Sequence, residues 1–204
     1  MATIIDKLRT LFCCAEEVNA DLWQAGIDSA YMSVEELTEY VTKKCGVTIS
    51  FKAVDAETAR VFGFITRYKG GDAVIYIGKN IPDRFKPAVA TKELCQILLD
   101  TEEDWRTDGI DTLERLVVPN IEVDAPENIA VRSEQLAERL SWELLYPIEL
   151  RRRDLNEIAE NKASMPEVAA RVRLPLQIVA LLLSAPYMEW CNRWWLAIAK
   201  RRAA

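Results

Sequence analysis

The sequence contains no histidine among its 204 residues. This absence excludes a cysteine–histidine nucleophile pair and any zinc site that relies on imidazole ligands. The five cysteines are scattered and odd in number, and none of them form a C-x-x-C spacing. That pattern is typical of free thiols in a reducing compartment. Cys13 and Cys14 fall in a predicted amphipathic helix, so we expect buried thiols there.

The sequence also lacks a long apolar run, a secretory leader pattern and a basic charge balance. The longest strongly apolar run, Ile178 to Ala185, is far too short to cross a bilayer. Charged residues begin at Asp6, and no small-residue cleavage site follows an apolar core. We therefore expect a cytoplasmic protein without a membrane partner. The net charge of −6 argues against binding nucleic acid by electrostatics, and we expect the basic cluster at 151–153 to be solvated surface.

What the sequence does contain is the composition of an ordinary globular protein. Half of its residues are hydrophobic and 28% are charged. The length of 204 residues can hold one sizeable domain, or a domain with a helical appendage. Ser33-Val34-Glu35-Glu36 predicts a capping box at a helix start, and Gly46 predicts the end of that helix. A turn at Lys69-Gly70-Gly71-Asp72 predicts a hairpin.

These signals together predict an α+β fold with a small antiparallel sheet, which we expect to be a three-stranded meander. The predicted strands are Val47–Val54, Arg60–Arg67 and Ala73–Ile77. The predicted helices are 4–18, 33–45, Pro82–Asp100, Thr107–Val117, Pro126–Tyr146, 149–161, 165–172, 176–185 and 187–200.

The segment Lys92-Glu93-Leu94-Cys95-Gln96 has the spacing of the H-E-x-x-H zinc helix. In the intact motif, two histidines four residues apart bind zinc and the glutamate activates a bound water. Here Glu93 keeps the place of the base. Lys92 has no lone pair to donate as an ammonium, and Gln96 offers only a weakly coordinating amide oxygen. An ordinary helix turn is the alternative interpretation of these five residues.

A second motif supports the comparison with a metallopeptidase. Glu134-Gln135-Leu136-Ala137, then Leu140-Ser141, then Leu144-Leu145-Tyr146-Pro147 match the pattern E-x-x-A-x-x-F-A-x-x-L-L-M-P, with Leu140 at the phenylalanine position. Together with the strand Val74–Ile77 and with Ala90-Thr91-Lys92-Glu93-Leu94, this order of elements resembles the ImmA/IrrE family of zinc metallopeptidases over roughly residues 33 to 185.

The resemblance implies a zincin-like domain in which Glu134 takes the place of the third metal ligand. It also implies that Lys92 and Gln96 replace the two ligand histidines, so we expect no catalysis, no metal and no cofactor. If Lys92 faces Glu134, its ammonium could form an ion pair with Glu134 or Glu93. The alternative is that Lys92 points to water.

Three functions follow as hypotheses. The first is a catalytically inactive metallopeptidase-like protein that binds a protein partner in transcriptional or phage regulation. For such a partner, the family implies a helix-turn-helix transcription regulator. The second is an active peptidase with a non-standard metal site, in which Glu93, Glu134 and a nearby acid such as Asp100 or Glu103 hold Mg²⁺ or Mn²⁺.

The third hypothesis is a DNA-binding regulator that uses the C-terminal helices. Residues 164–179 have helix-turn-helix rhythm, with Ala169 and Val179 ten apart. Arg173 stands at the turn, where glycine is usual. The second helix of this pair is apolar, so we expect it to be buried rather than to contact bases.

The last helix carries Trp190, Trp194 and Trp195. We expect these rings to pack in a core, or else to form a partner or self-association surface. The predicted domains are a zincin-like domain with N-terminal helices at 1–148 and a helical region at 149–204.

Overall fold

A computed structural model describes residues 4–26, 32–55, 62–68, 71–100 and 129–202. Its elements are the helices α1 (Ile4–Gln24), α2 (Val34–Cys45), α3 (Lys86–Leu99), α4 (Ile129–Leu145), α5 (Ile148–Ala159), α6 (Met165–Arg171), α7 (Leu176–Leu182) and α8 (Ala185–Arg202), the strands β1 (Thr48–Val54), β2 (Gly63–Arg67) and β3 (Asp72–Gly78), and a short 3₁₀ turn at Asp83–Phe85. The predicted α+β class is confirmed. The predicted helix at Thr107–Val117 lies outside the described residues.

The ends of α2 are set by local chemistry. The Ser33 side chain accepts a hydrogen bond from the Glu36 backbone N–H, and the Glu36 carboxylate accepts one from the Ser33 N–H. This reciprocal pair satisfies donors that a helix start leaves open. Gly46 ends the helix in the left-handed conformation at φ 66°, which costs glycine little. Both features are confirmed.

The sheet differs from the predicted antiparallel meander. Its strand order is β1-β3-β2, and β1 pairs with β3 in parallel from Thr48–Asp72 to Val54–Gly78. Only the β2–β3 hairpin is antiparallel, so the prediction was right for that pair and wrong for β1. The physical reason is burial. Ala73, Val74 and Ile75 of β3 are buried, and the middle of a sheet is the place where a strand is covered by neighbours on both sides.

The helix α3 packs against α2, β2 and β3. Its contact with β2 is close, because a side-chain Cβ at Gly63 would lie 2.5 Å from Val89 Cγ1 and 2.9 Å from the Tyr76 carbonyl oxygen. The same position would lie 3.5 Å from a carboxylate oxygen of Glu93. Glycine at position 63 therefore lets the edge strand approach α3 at the site of the motif.

The chain forms two compact units. Ser33–Arg139 makes one unit, while Met1–Met32 and Leu140–Ala204 make the other. The predicted boundary between residues 148 and 149 falls within the second unit, which also contains α1. The inward residues of α1 are Leu8, Leu11, Phe12, Ala15, Val18 and Leu22. Cys13 is exposed and Cys14 is half-buried, so the expectation of buried thiols was wrong.

Among the described helices, not one combines the length and the hydropathy needed to cross a bilayer.

Candidate functional site

The motif residues come together on one face of α3. Lys92 and Gln96 are separated by one helical turn and therefore lie on the same side of the helix. Glu134 on α4 meets both of them: the Lys92 Nζ donates a hydrogen bond to Glu134 Oε2, and the Gln96 Nε2 donates one to Oε1. Both oxygens of the Glu134 carboxylate are thus occupied by the first and last residues of the Lys92–Gln96 motif.

The Lys92 ammonium contacts a second carboxylate. Its Nζ lies 2.8 Å from Glu93 Oε1, so one cation is shared between Glu93 and Glu134. Both ion pairs considered from the sequence are therefore present, and the expectation that Lys92 simply points to water is wrong. The side chain of Lys92 is 21% exposed, and that of Glu134 is 23% exposed, so the pair borders solvent on one side.

The Glu93 carboxylate is fully buried. Neither of its oxygens has a hydrogen bond of good geometry, so the contact with Lys92 is electrostatic. Burial raises the pKa of Glu93 to about 7; the Lys92 ammonium opposes this increase, and the Glu134 carboxylate adds to it. Burial alone would lower the pKa of Lys92, but Glu93 and Glu134 outweigh it and raise that pKa.

A second polar network fixes the helices around this site. Arg67 of β2 donates to Asp100 Oδ2 at 3.1 Å, and Ser133 of α4 donates to Asp100 Oδ1 at 2.7 Å. Asp100 follows the last turn of α3. This chain of contacts joins β2, α3 and α4 through the Asp100 carboxylate, which the hypothesis of an active peptidase assigns to a metal ion.

The donor set of the motif face does not suit a metal ion. Within the described residues, no three His, Cys, Asp or Glu side chains are gathered so that they could hold one. Glu93 and Glu134 are bridged by a cation, and Asp100 is bonded to Arg67 and Ser133. Glu103, the remaining candidate, lies outside the described residues.

The three tryptophans of α8 surround one aromatic ring of α1. The Phe12 ring centroid lies 5.7 Å from that of Trp190, 6.2 Å from Trp194 and 5.2 Å from Trp195. Phe12 is completely buried. Core packing, which was one of the two expectations, therefore accounts for the inward faces of these rings. Their role as a partner surface stays a prediction.

A buried ion pair in the same unit was missed from the sequence. Arg151 is completely buried and donates to the Glu143 carboxylate. Trp195 Nε1 donates to the same carboxylate at 3.2 Å, and the Cys191 thiol lies 3.4 Å from it. The expectation that Arg151 is solvated surface was wrong. The sequence signal that could have revealed this ion pair is Glu143, which lies in the apolar stripe of α4. A carboxylate buried at such a position needs a cation beside it.

The helix-turn-helix pattern corresponds to α6 and α7. Ala169 and Val179 are buried, and Arg173 in the turn has a positive φ of 57°, the conformation for which glycine is usual. The apolar helix α7 is buried on one face only, because Leu176 is 44% exposed and Leu181 40% exposed. The expectation that it is buried was therefore wrong for its outer face. The polar side chain on that face is Gln177, and a single glutamine provides few hydrogen bonds for recognising DNA bases.

A further buried carboxylate, Asp154 of α5, anchors the first helix of this pair, α6. The Tyr146 hydroxyl donates to Asp154 at 2.7 Å and Arg171 donates to it at 2.8 Å. Arg171 also bonds Glu157 at 2.7 Å, which ties α6 to α5. These contacts are structural, since they hold one helix to the next and leave no buried charge unpaired.

Comparison with known proteins adds no relative: no family model matches the chain, and neither a curated protein nor a solved structure matches it.

Coupling between Lys92 and Glu134 is the first prediction. Lys92→Met and Glu134→Gln should each lower the free energy of unfolding, and the double variant should lose less than the sum, with a coupling of about 0.5–3 kcal/mol. Denaturant titrations of the four proteins measure this. The exposed Lys79–Asp55 pair, 2.8 Å apart, is the matched control and should show no measurable coupling. Additive effects at Lys92 and Glu134 would contradict the shared ion pair.

The pH dependence of stability is the second prediction. The folded pKa of Glu93 is raised from 4.5 to about 7, so the contribution of its proton is fully present below pH 4.5 and is lost as the pH rises through 7. The free energy of unfolding of the wild type should therefore fall across this window relative to Glu93→Gln. Melts of both proteins from pH 4.5 to 8 measure the difference. Asp55→Asn, at an exposed carboxylate, should keep the wild-type slope; parallel curves for wild type and Glu93→Gln would refute this assignment.

The contrast between two adjacent arginines is the third prediction. Arg151→Met leaves the Glu143 carboxylate buried without its cation and should cost about 3–5 kcal/mol of stability. The exposed Arg152, which donates to the neutral Asn192 side chain, is the control, and Arg152→Met should cost little. Urea unfolding of the two variants compares them. Equal losses would contradict the assignment of the buried charge.

Proposed function

We propose that this chain is a catalytically inactive, ImmA/IrrE-like metallopeptidase relative that acts by binding a protein partner in transcriptional or phage regulation. The observation that carries the proposal is the position of the Lys92 ammonium between the carboxylates of Glu93 and Glu134. In the family, that region belongs to the metal. Here the Lys92 ammonium supplies a positive charge between the carboxylates, as a metal ion would, but it cannot perform the chemistry of a metal ion.

The placement of Glu134 supports the resemblance. Glu134 lies 42 residues beyond Lys92 and 38 beyond Gln96 in sequence, yet its carboxylate bonds both. This is the convergence that the family pattern implies for a third ligand and two histidines four residues apart. An ordinary helix turn would not require a glutamate from another helix to bond the first and last residues of the motif.

The loss of hydrolysis follows from the chemistry of the side chains. An ammonium has no lone pair for a metal, and its positive charge repels a divalent cation from the two carboxylates. Without a bound metal, no water at this site has its pKa lowered toward neutrality. Glu93 can hold a proton but has no activated nucleophile to deprotonate, which disfavours the hypothesis of a peptidase with Mg²⁺ or Mn²⁺.

Binding is the activity that these residues retain. Lys92 and Glu134 each keep about a fifth of their surface exposed, and α3 and α4 are held together by the contacts that replace the metal. A protein partner could therefore meet a preformed face without being cleaved. The family resemblance favours a helix-turn-helix transcription regulator as that partner. The apolar outer face of α7 disfavours DNA binding by the chain itself.

Restoring the two histidines tests the proposal. The double variant Lys92→His, Gln96→His should bind one Zn²⁺ per chain with Glu134 as the third ligand, while the wild type should bind none. Calorimetry with Zn²⁺ and the absorption of bound Co²⁺ measure the gain. The matched control is the same double variant carrying Glu134→Ala, which should bind much more weakly. A folded double variant without a metal site, or zinc binding and peptide cleavage by the wild type, would overturn the proposal.

Capture of a partner tests the binding half separately. Immobilised wild-type protein should retain a specific protein from an extract of the native host, and the charge reversal Glu134→Lys should lose it while keeping a native circular dichroism spectrum. Arg152→Met is the control for an unrelated surface. Retention that does not depend on Glu134 would place binding elsewhere on the chain.

A further inference from the structure

We draw no further inference here: the strongest candidate, the exposed apolar face of α7 at Leu176 and Leu181, carries none because nothing in the structure shows what covers it.

Discussion

The ammonium of Lys92 between two carboxylates is the constraint on which the candidate site depends. Glu93 is fully buried and Glu134 comes from a different helix. Two carboxylates that contact the same ammonium would repel each other if that cation were absent. Lys92 supplies that cation from within the chain, and Gln96 supplies the remaining hydrogen bond to Glu134. The ammonium thus occupies the space between the two carboxylates and repels a second cation from it.

The surrounding architecture explains how this arrangement is tolerated. Gly63 allows β2 to lie close against α3, and the Arg67–Asp100–Ser133 network holds β2, α3 and α4 in place. The other unit also contains a buried carboxylate that needs a cation. There the fully buried Arg151 neutralises Glu143, and Trp195 of α8 donates a hydrogen bond to the same carboxylate.

Several features could be predicted because they are local. The capping box at Ser33, the hairpin between β2 and β3, and the helix that carries the motif depend on residues a few positions apart. The parallel pairing of β1 could not, because nothing within β1 encodes the neighbour on which it packs. The apolar character of β3 can be seen in the sequence, but its central position depends on how all three strands pack together. Arg151 was misjudged for the same reason, since its burial depends on Glu143 and α8.

The sequence by itself determined the chemistry available to this protein. A chain without histidine, with lysine and glutamine at the ends of the motif, has no imidazole to offer a metal, whatever its fold. Only the tertiary structure decided where that lysine is used. Its partners lie one residue and 42 residues away in the chain, and a contact between distant residues forms only when packed helices bring the two carboxylates to the same ammonium.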